Sequence, residues 1–289
     1  MKTIASGKGA LVARQDILWF CIWVGGLVAL GVWDAIFLNR PAFLLVQTAF
    51  VNTLLACSLV LLLTLLLGWS TGILLHFLET RHRTAYLATT FCLNVLRSVP
   101  QIVGTLIGYV ILTFFLEHEV LESRPAQLAW MAFVITLLVF QEVADLVRER
   151  IGHYSKLEFF HAMLSCGIRE GRIINREILW KNSRAHLLNK LISIFATAVF
   201  LQCSIDFIVS VGLSTDVSLS NFPVTLGSLL AKLDSKQDIL AVGAILWDIS
   251  AAPSLLFEHL QGVSTACIIV FTLFCMYRIS HGLVRHHRL

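Results

Sequence analysis

A chain of 289 residues that is 57% hydrophobic and 14% charged, with a mean hydropathy of +0.80, is not an ordinary soluble domain, since those carry about 25% charged residues. The net charge of +4 says less by its size than by where the charges fall. The seven cysteines form no Cys-x-x-Cys pair and all but Cys166 lie in apolar runs, which argues against a disulfide framework or a zinc site.

In chain order, six apolar segments reach the roughly 20 residues that a bilayer demands. They run near Ile17–Leu38, Phe50–Leu75, Ala88–Leu116, Leu128–Val147, Leu188–Leu213 and Val263–Leu283. The expected fold is all-α, a polytopic membrane bundle of about six helices. The first segment follows Lys2, Lys8 and Arg14 as a signal peptide would. Its apolar run is too long and no small-x-small site closes it, so it reads as a span. A further stretch, Ile239–Leu260, carries Asp248, Pro253 and Glu258 and reads as short interfacial or re-entrant helices.

Placing the N-terminus inside puts 17 of the 22 Lys and Arg residues in inner segments and only Arg40, Arg124, Lys232 and Lys236 outside, with Arg97 left in a span. Such a bias sets orientation, with both termini cytoplasmic. Glu142 and Asp145 fall near the inner end of the fourth span, where Arg148 or Arg150 could pair with them. Asp206 lies in the outer part of the fifth. It fits either a translocation path, where it would meet a peptide's amino terminus, or a helix end.

The segment Leu157–Asn182 (LEFFHAMLSCGIREGRIINREILWKN) is basic, 26 residues long and cytoplasmic in this orientation. Leu157, Phe159, Phe160, Met163 and Leu164 recur at helical spacing as one apolar face that needs a partner. Glu158, His161 and Ser165 edge it, and Gly167 is placed to end the helix in a left-handed cap. Arg169, Arg172 and Arg176 follow at helical spacing on a second helix. The segment fits either a surface helix on anionic lipid or a helix docked in a partner's groove.

One motif invites a different chemistry. Gly68-Trp69-Ser70-Thr71-Gly72 matches the Gly-x-Ser-x-Gly nucleophile elbow, which would make the chain an intramembrane hydrolase acting through Ser70. Its place in an apolar helix favours close helix packing instead. No Gly-x-x-x-x-Gly-Lys-Ser/Thr phosphate loop occurs, so this chain does not hydrolyse ATP by that route. The histidines, His281, His286 and His287 among them, form no ligand set.

Several segments resemble one family. The small turn His161-Ala162-Met163, then Gly167, then Ile178-Leu179 after ten residues, resembles the cytoplasmic coupling loop of ABC importer permeases. In that loop Glu-Ala-Ala, a spaced Gly and Ile-Leu-Pro shape the helix that docks on the ATPase. Asn52-Thr53-Leu54 with Gly68 and Gly72, Leu96-Arg97-Ser98-Val99-Pro100, Ser204–Gly212, Phe222-Pro223 and Ser280–Arg285 are similar to other family segments. The subclass they resemble most is the dipeptide, oligopeptide and nickel permeases. The chain departs from the pattern at His161 and Met163, which stand for Glu and Ala, at Trp180, which stands for Pro, and at Asp145, which stands where the family usually has Arg.

The resemblance implies a binding-protein-dependent importer subunit in a bacterial inner membrane, with residues 1–46 an N-terminal segment and first span and 47–289 the permease core with a coupling loop at 148–187. Leu157, Glu158, Phe159, Phe160, His161, Ala162, Leu164 and Gly167 would couple to the ATPase. Arg97 and Asp206 would line the path. No enzyme activity and no cofactor are expected on this chain, ATP and Mg²⁺ residing on partner ATPase subunits. The other implied partners are a second permease, identical or different, an extracytoplasmic solute-binding protein and membrane lipid, with no nucleic acid. The implied solute is peptide-like, with a metal complex such as nickel, an amino acid or a phosphonate as alternatives. A lipid-binding membrane scaffold is the reading from another class.

Overall fold

A computed structural model describes residues 2–121, 123–212, 222–231, 247, 248, 250 and 260–287, with backbone alone for 2–16, 211, 212, 260 and 282–287. The described residues form an all-α bundle. Its elements are α1 (Lys2–Phe37), α2 (Arg40–Arg81), α3 (Arg83–Ser98), α4 (Gln101–Glu117), α5 (Arg124–Tyr154), α6 (Glu158–Ser165), α7 (Glu170–Arg172), a π-helix π1 (Ile173–Asn182), α8 (Arg184–Gly212), α9 (Leu226–Ala231) and α10 (Leu260–His287). Most of the expected interfacial stretch Ile239–Leu260 lies outside the described residues.

Five helices are long and apolar enough to cross a membrane, and a sixth crossing follows if α3 and α4 count as one. The chain is a multi-pass membrane protein. The third expected span, Ala88–Leu116, is not a single helix. It breaks into α3 and α4, bent by 90°. Pro100 causes the break, because its ring disfavours helical backbone at the preceding residue and it donates no N–H. Val99 is extended accordingly, at φ −77° and ψ 121°.

Small residues set how closely the spans approach. On α2 the buried positions Ala49, Thr53, Ala56, Val60, Thr64, Gly68, Gly72 and Leu75 recur every three or four residues, the spacing of one helix face. That face meets α5 in the most extensive helix pair of the fold. A Cβ at Gly68 would lie 2.5 Å from Val143 Cβ, and one at Gly72 would lie 2.7 Å from Val147 Cγ1. The Gly-x-Ser-x-Gly match is therefore a packing seam. Ser70 sits within continuous helix and donates its hydroxyl to Leu66 O at 2.5 Å. A second glycine pair, Gly104 and Gly108 on α4, meets Leu138 and Val134 of α5 in the same manner, and Trp130 Nε1 donates to Gly108 O at 3.0 Å. The sequence reading passed over this pair.

At the periphery α1 pairs with α10. Gly26 faces Phe271, Trp23 Nε1 donates to Thr272 Oγ1 at 3.3 Å, and Ser264 Oγ donates to the buried Asp34 Oδ2 at 2.7 Å.

Replacing Gly72 by Val forces bulk into the α2–α5 contact and should destabilise the bundle by about 1–3 kcal/mol. The same change at Gly31, where a Cβ meets nothing within 4 Å, should leave the thermal midpoint of the detergent-purified protein unchanged. Equal midpoints for the two variants would contradict the seam.

Candidate functional site

The polar groups of the bundle gather at its two ends. On α5, Glu142, Asp145 and Arg148 lie in the later turns and Gln127 in the first. On α8, Lys190 is near the start and Asp206 near the finish. Ion pairs occupy the first end and a small, partly open cavity beside Asp206 the second.

At the ion-paired end the partners differ from the expected ones. Glu142 pairs with Lys190 at 2.7 Å and Asp145 with Arg97 at 2.5 Å. Arg148 reaches Glu79 at 3.4 Å and Tyr86. Arg150 Nη2 lies 3.3 Å from His186 Nδ1. Every one of these contacts joins two helices, whereas sequence proximity favoured pairing within α5. The bend at Pro100 explains Arg97. It ends α3 across α5, where its Nε also donates to Gln141 Oε1 at 3.2 Å. Its side chain is 53% exposed and that of Asp145 57%, so the pair adds well under about 1 kcal/mol and apolar packing sets the helix register.

The loop after α5 is built on that end. Leu157 caps α6 in extended conformation and Gly167 closes it at φ +80°. Ile168 N donates to Met163 O at 3.2 Å and Gly167 N to Leu164 O at 2.9 Å, the paired bonds of a left-handed C-terminal cap. The expected single apolar face divides. Phe160 is buried, and Phe159 and Met163 pack half-buried on the main core. Leu157 and Leu164 point outward, 40% and 38% exposed. Helical geometry explains this, since Leu164 follows Met163 by about 100° and so falls on the flank of the inward arc. Glu158, His161 and Ala162 complete the exposed surface. Arg169, Arg172 and Arg176 are also exposed, the first preceding α7 and the last within π1.

Beneath them π1 buries Ile173, Ile174, Ile178 and Leu179 completely. Two apolar pairs five residues apart share a face only when the helix is wound wider than α, so the spacing suits the π geometry. The helix continues past Trp180, 70% exposed, to Asn182. Trp69 Nε1 donates to Asn175 Oδ1 at 2.9 Å, and His76 Nε2 lies 3.2 Å from Glu170 Oε1. Those two contacts tie the loop to α2.

At the far end Asp206 is 9% exposed. Its Oδ2 accepts from Gln202 Nε2 at 2.8 Å and from Thr225 Oγ1 at 2.5 Å. Thr225 also caps α9, its Oγ1 accepting from Ser228 N at 3.3 Å. Gly227 lets α9 sit directly on α8, since a Cβ there would lie 2.3 Å from Cys203 O. The non-helical residues before α9 and the start of α9 itself are fastened to α2, where Asn52 Nδ2 donates to Val224 O at 2.8 Å and Thr53 Oγ1 accepts from Leu226 N at 3.1 Å. Arg97 and Asp206, read together from the sequence, thus belong to different ends. Gln127, Gln202 and Thr225 around Asp206 were not singled out in the sequence. Gln202, one turn before Asp206 in an apolar helix, was the available signal.

Among the described residues no group of three or more His, Cys, Asp or Glu side chains could hold a metal ion. No protein-family model matches the chain. No curated protein matches it either.

Gly167→Ala imposes a left-handed backbone on an L-residue and should cost about 1–2 kcal/mol. Hydrogen exchange should then quicken across Glu158–Ser165, while Gly171→Ala, at a glycine without positive φ and with open space, should leave it unaltered. Unchanged exchange in both variants would contradict the cap.

Proposed function

We propose that this chain is the transmembrane permease subunit of an ATP-driven ABC importer, forming part of a path for a small, peptide-like solute and coupling to ATPase subunits through α6. The observation that carries the reading is the two-sided construction of α6. One side, Phe159, Phe160 and Met163, is anchored in the bundle core, and the other presents Leu157, Glu158, His161, Ala162 and Leu164 outward. A short helix so placed passes a push on its outer side to the helices under it. Rocking of a helical bundle between two openings is then a rigid-body change biased by a partner, and no residue of this chain need do chemistry. A nickel or other metal complex, an amino acid or a phosphonate would suit the same architecture.

A lipid-binding scaffold is the second reading, favoured by the exposure of Arg169, Arg172 and Arg176. It makes the charges, and not Leu164, the determinant of loop binding.

Purification of the intact chain in mild detergent, followed by mass spectrometry, separates the two. The permease reading expects an ATPase and a second polytopic subunit to accompany the wild type. Leu164→Asp should reduce ATPase recovery by about tenfold, equivalent to 1.4 kcal/mol, while keeping the second subunit. Phe160→Ala should instead lose about 3–5 kcal/mol of fold stability. Absence of an ATPase, or recovery that depends on Arg172 and Arg176 and not on Leu164, would overturn the permease reading.

A further inference from the structure

The cavity beside Asp206 has a volume of about 30 Å³, room for one or two water-sized occupants. Its polar lining includes Tyr109, Gln127, Gln202, Asp206 and Thr225, while apolar side chains, Leu112 and Met131 among them, make up the larger part of the wall. The polar atoms around it are unevenly matched. Gln127 spends its amide N–H on Leu121 O at 3.2 Å, and Gln202 spends its own on Asp206 Oδ2. The amide oxygens of both, on residues only 1% and 2% exposed, have no hydrogen-bond partner. Among the described residues no Lys, Arg or His forms an ion pair with Asp206. Asp206 and the two glutamines that carry unpartnered amide oxygens thus line a void whose other polar residues, among those described, carry hydroxyls.

Unpartnered buried acceptors, and a buried carboxylate that no described cation pairs with, are each costly in a membrane interior. A cation meets the need of all three at once. We propose that the Asp206 cavity binds a single small monovalent cation, Na⁺ being the best match in size. The side-chain acceptors left without a partner are oxygens, which selects a hard ion. It contains one carboxylate, too little negative charge for a dehydrated divalent ion. The non-helical residues Phe222–Thr225 supply irregular backbone beside it, a feature that membrane bundles tolerate where it lines a cavity and that recurs at cation sites of unrelated transporters. The inference does not depend on the transport reading, because it requires only the folded chain.

The test is equilibrium binding of ²²Na⁺ to the purified full-length protein in lipid nanodiscs at constant ionic strength. Saturable binding at one site per chain is expected, displaced by Li⁺ and unlabelled Na⁺ but not by choline. Asp206→Asn should abolish it, with helical content and elution volume unchanged. Gln127→Leu, on the α5 side of the cavity, should weaken it roughly tenfold or more, and it serves as the deciding variant where Asp206→Asn does not fold. No saturable binding to the wild type, displacement by choline equal to that by Na⁺, or full binding in the variants would each overturn the proposal.

Discussion

The close approach of α2 and α4 to α5 is the constraint on which the remaining structure depends. Helices in lipid gain little from hiding apolar surface, because the tails are as apolar as they are, so association rests on intimate packing. Gly68 and Gly72 admit Val143 and Val147, and Gly104 and Gly108 admit Leu138 and Val134. All four contacts fall on one helix. With both neighbours fixed to it, α5 presents Glu142, Asp145 and Arg148 to the ion-paired end, where each finds its partner on a different helix, and Gln127 to the cavity.

The helical plan was legible because hydropathy is a sum over many residues, and no single error upsets it. Gly68 and Gly72 were legible too, since small residues spaced by four within an apolar run have one common use in membranes. Less survived where one residue overrides a pattern. Pro100 turns a continuous apolar stretch into two helices at right angles, and Arg97 then leaves the span in which hydropathy had placed it. The division of the α6 face was beyond periodicity, because Leu164 lies within the apolar arc by count and outside it once the core has chosen Phe160 and Met163. The surroundings of Asp206 come from four helices and a non-helical segment, and of that convergence only Gln202, one turn away, leaves a local trace.

Among the described residues two carboxylates are buried among apolar helices, Asp34 and Asp206, and the fold treats them alike. Asp34 on α1 accepts from Ser264 on α10, and Asp206 on α8 accepts from Thr225 before α9. A hydroxyl from outside its own helix stabilises each without neutralising it. The difference lies in surroundings. Asp34 faces a helix pair at the periphery, whereas Asp206 opens on a cavity of its own. Burial by itself would have ranked the two acids together.

The 42 residues of α2 rise about 63 Å, roughly twice the hydrocarbon thickness of a bilayer. No proline interrupts it after Pro41, so it behaves as a stiff rod. Its tightest contact, at Gly68 and Gly72, is a fulcrum set well off centre. The short arm, about 16 Å to Arg81, carries His76, held to Glu170 of the loop. The long arm, about 45 Å to Arg40, carries Asn52 and Thr53, which grip the residues framing the Asp206 cavity. A tilt about that fulcrum has a mechanical advantage below one, so a small displacement of the loop end becomes a larger one where Val224 and Leu226 are held.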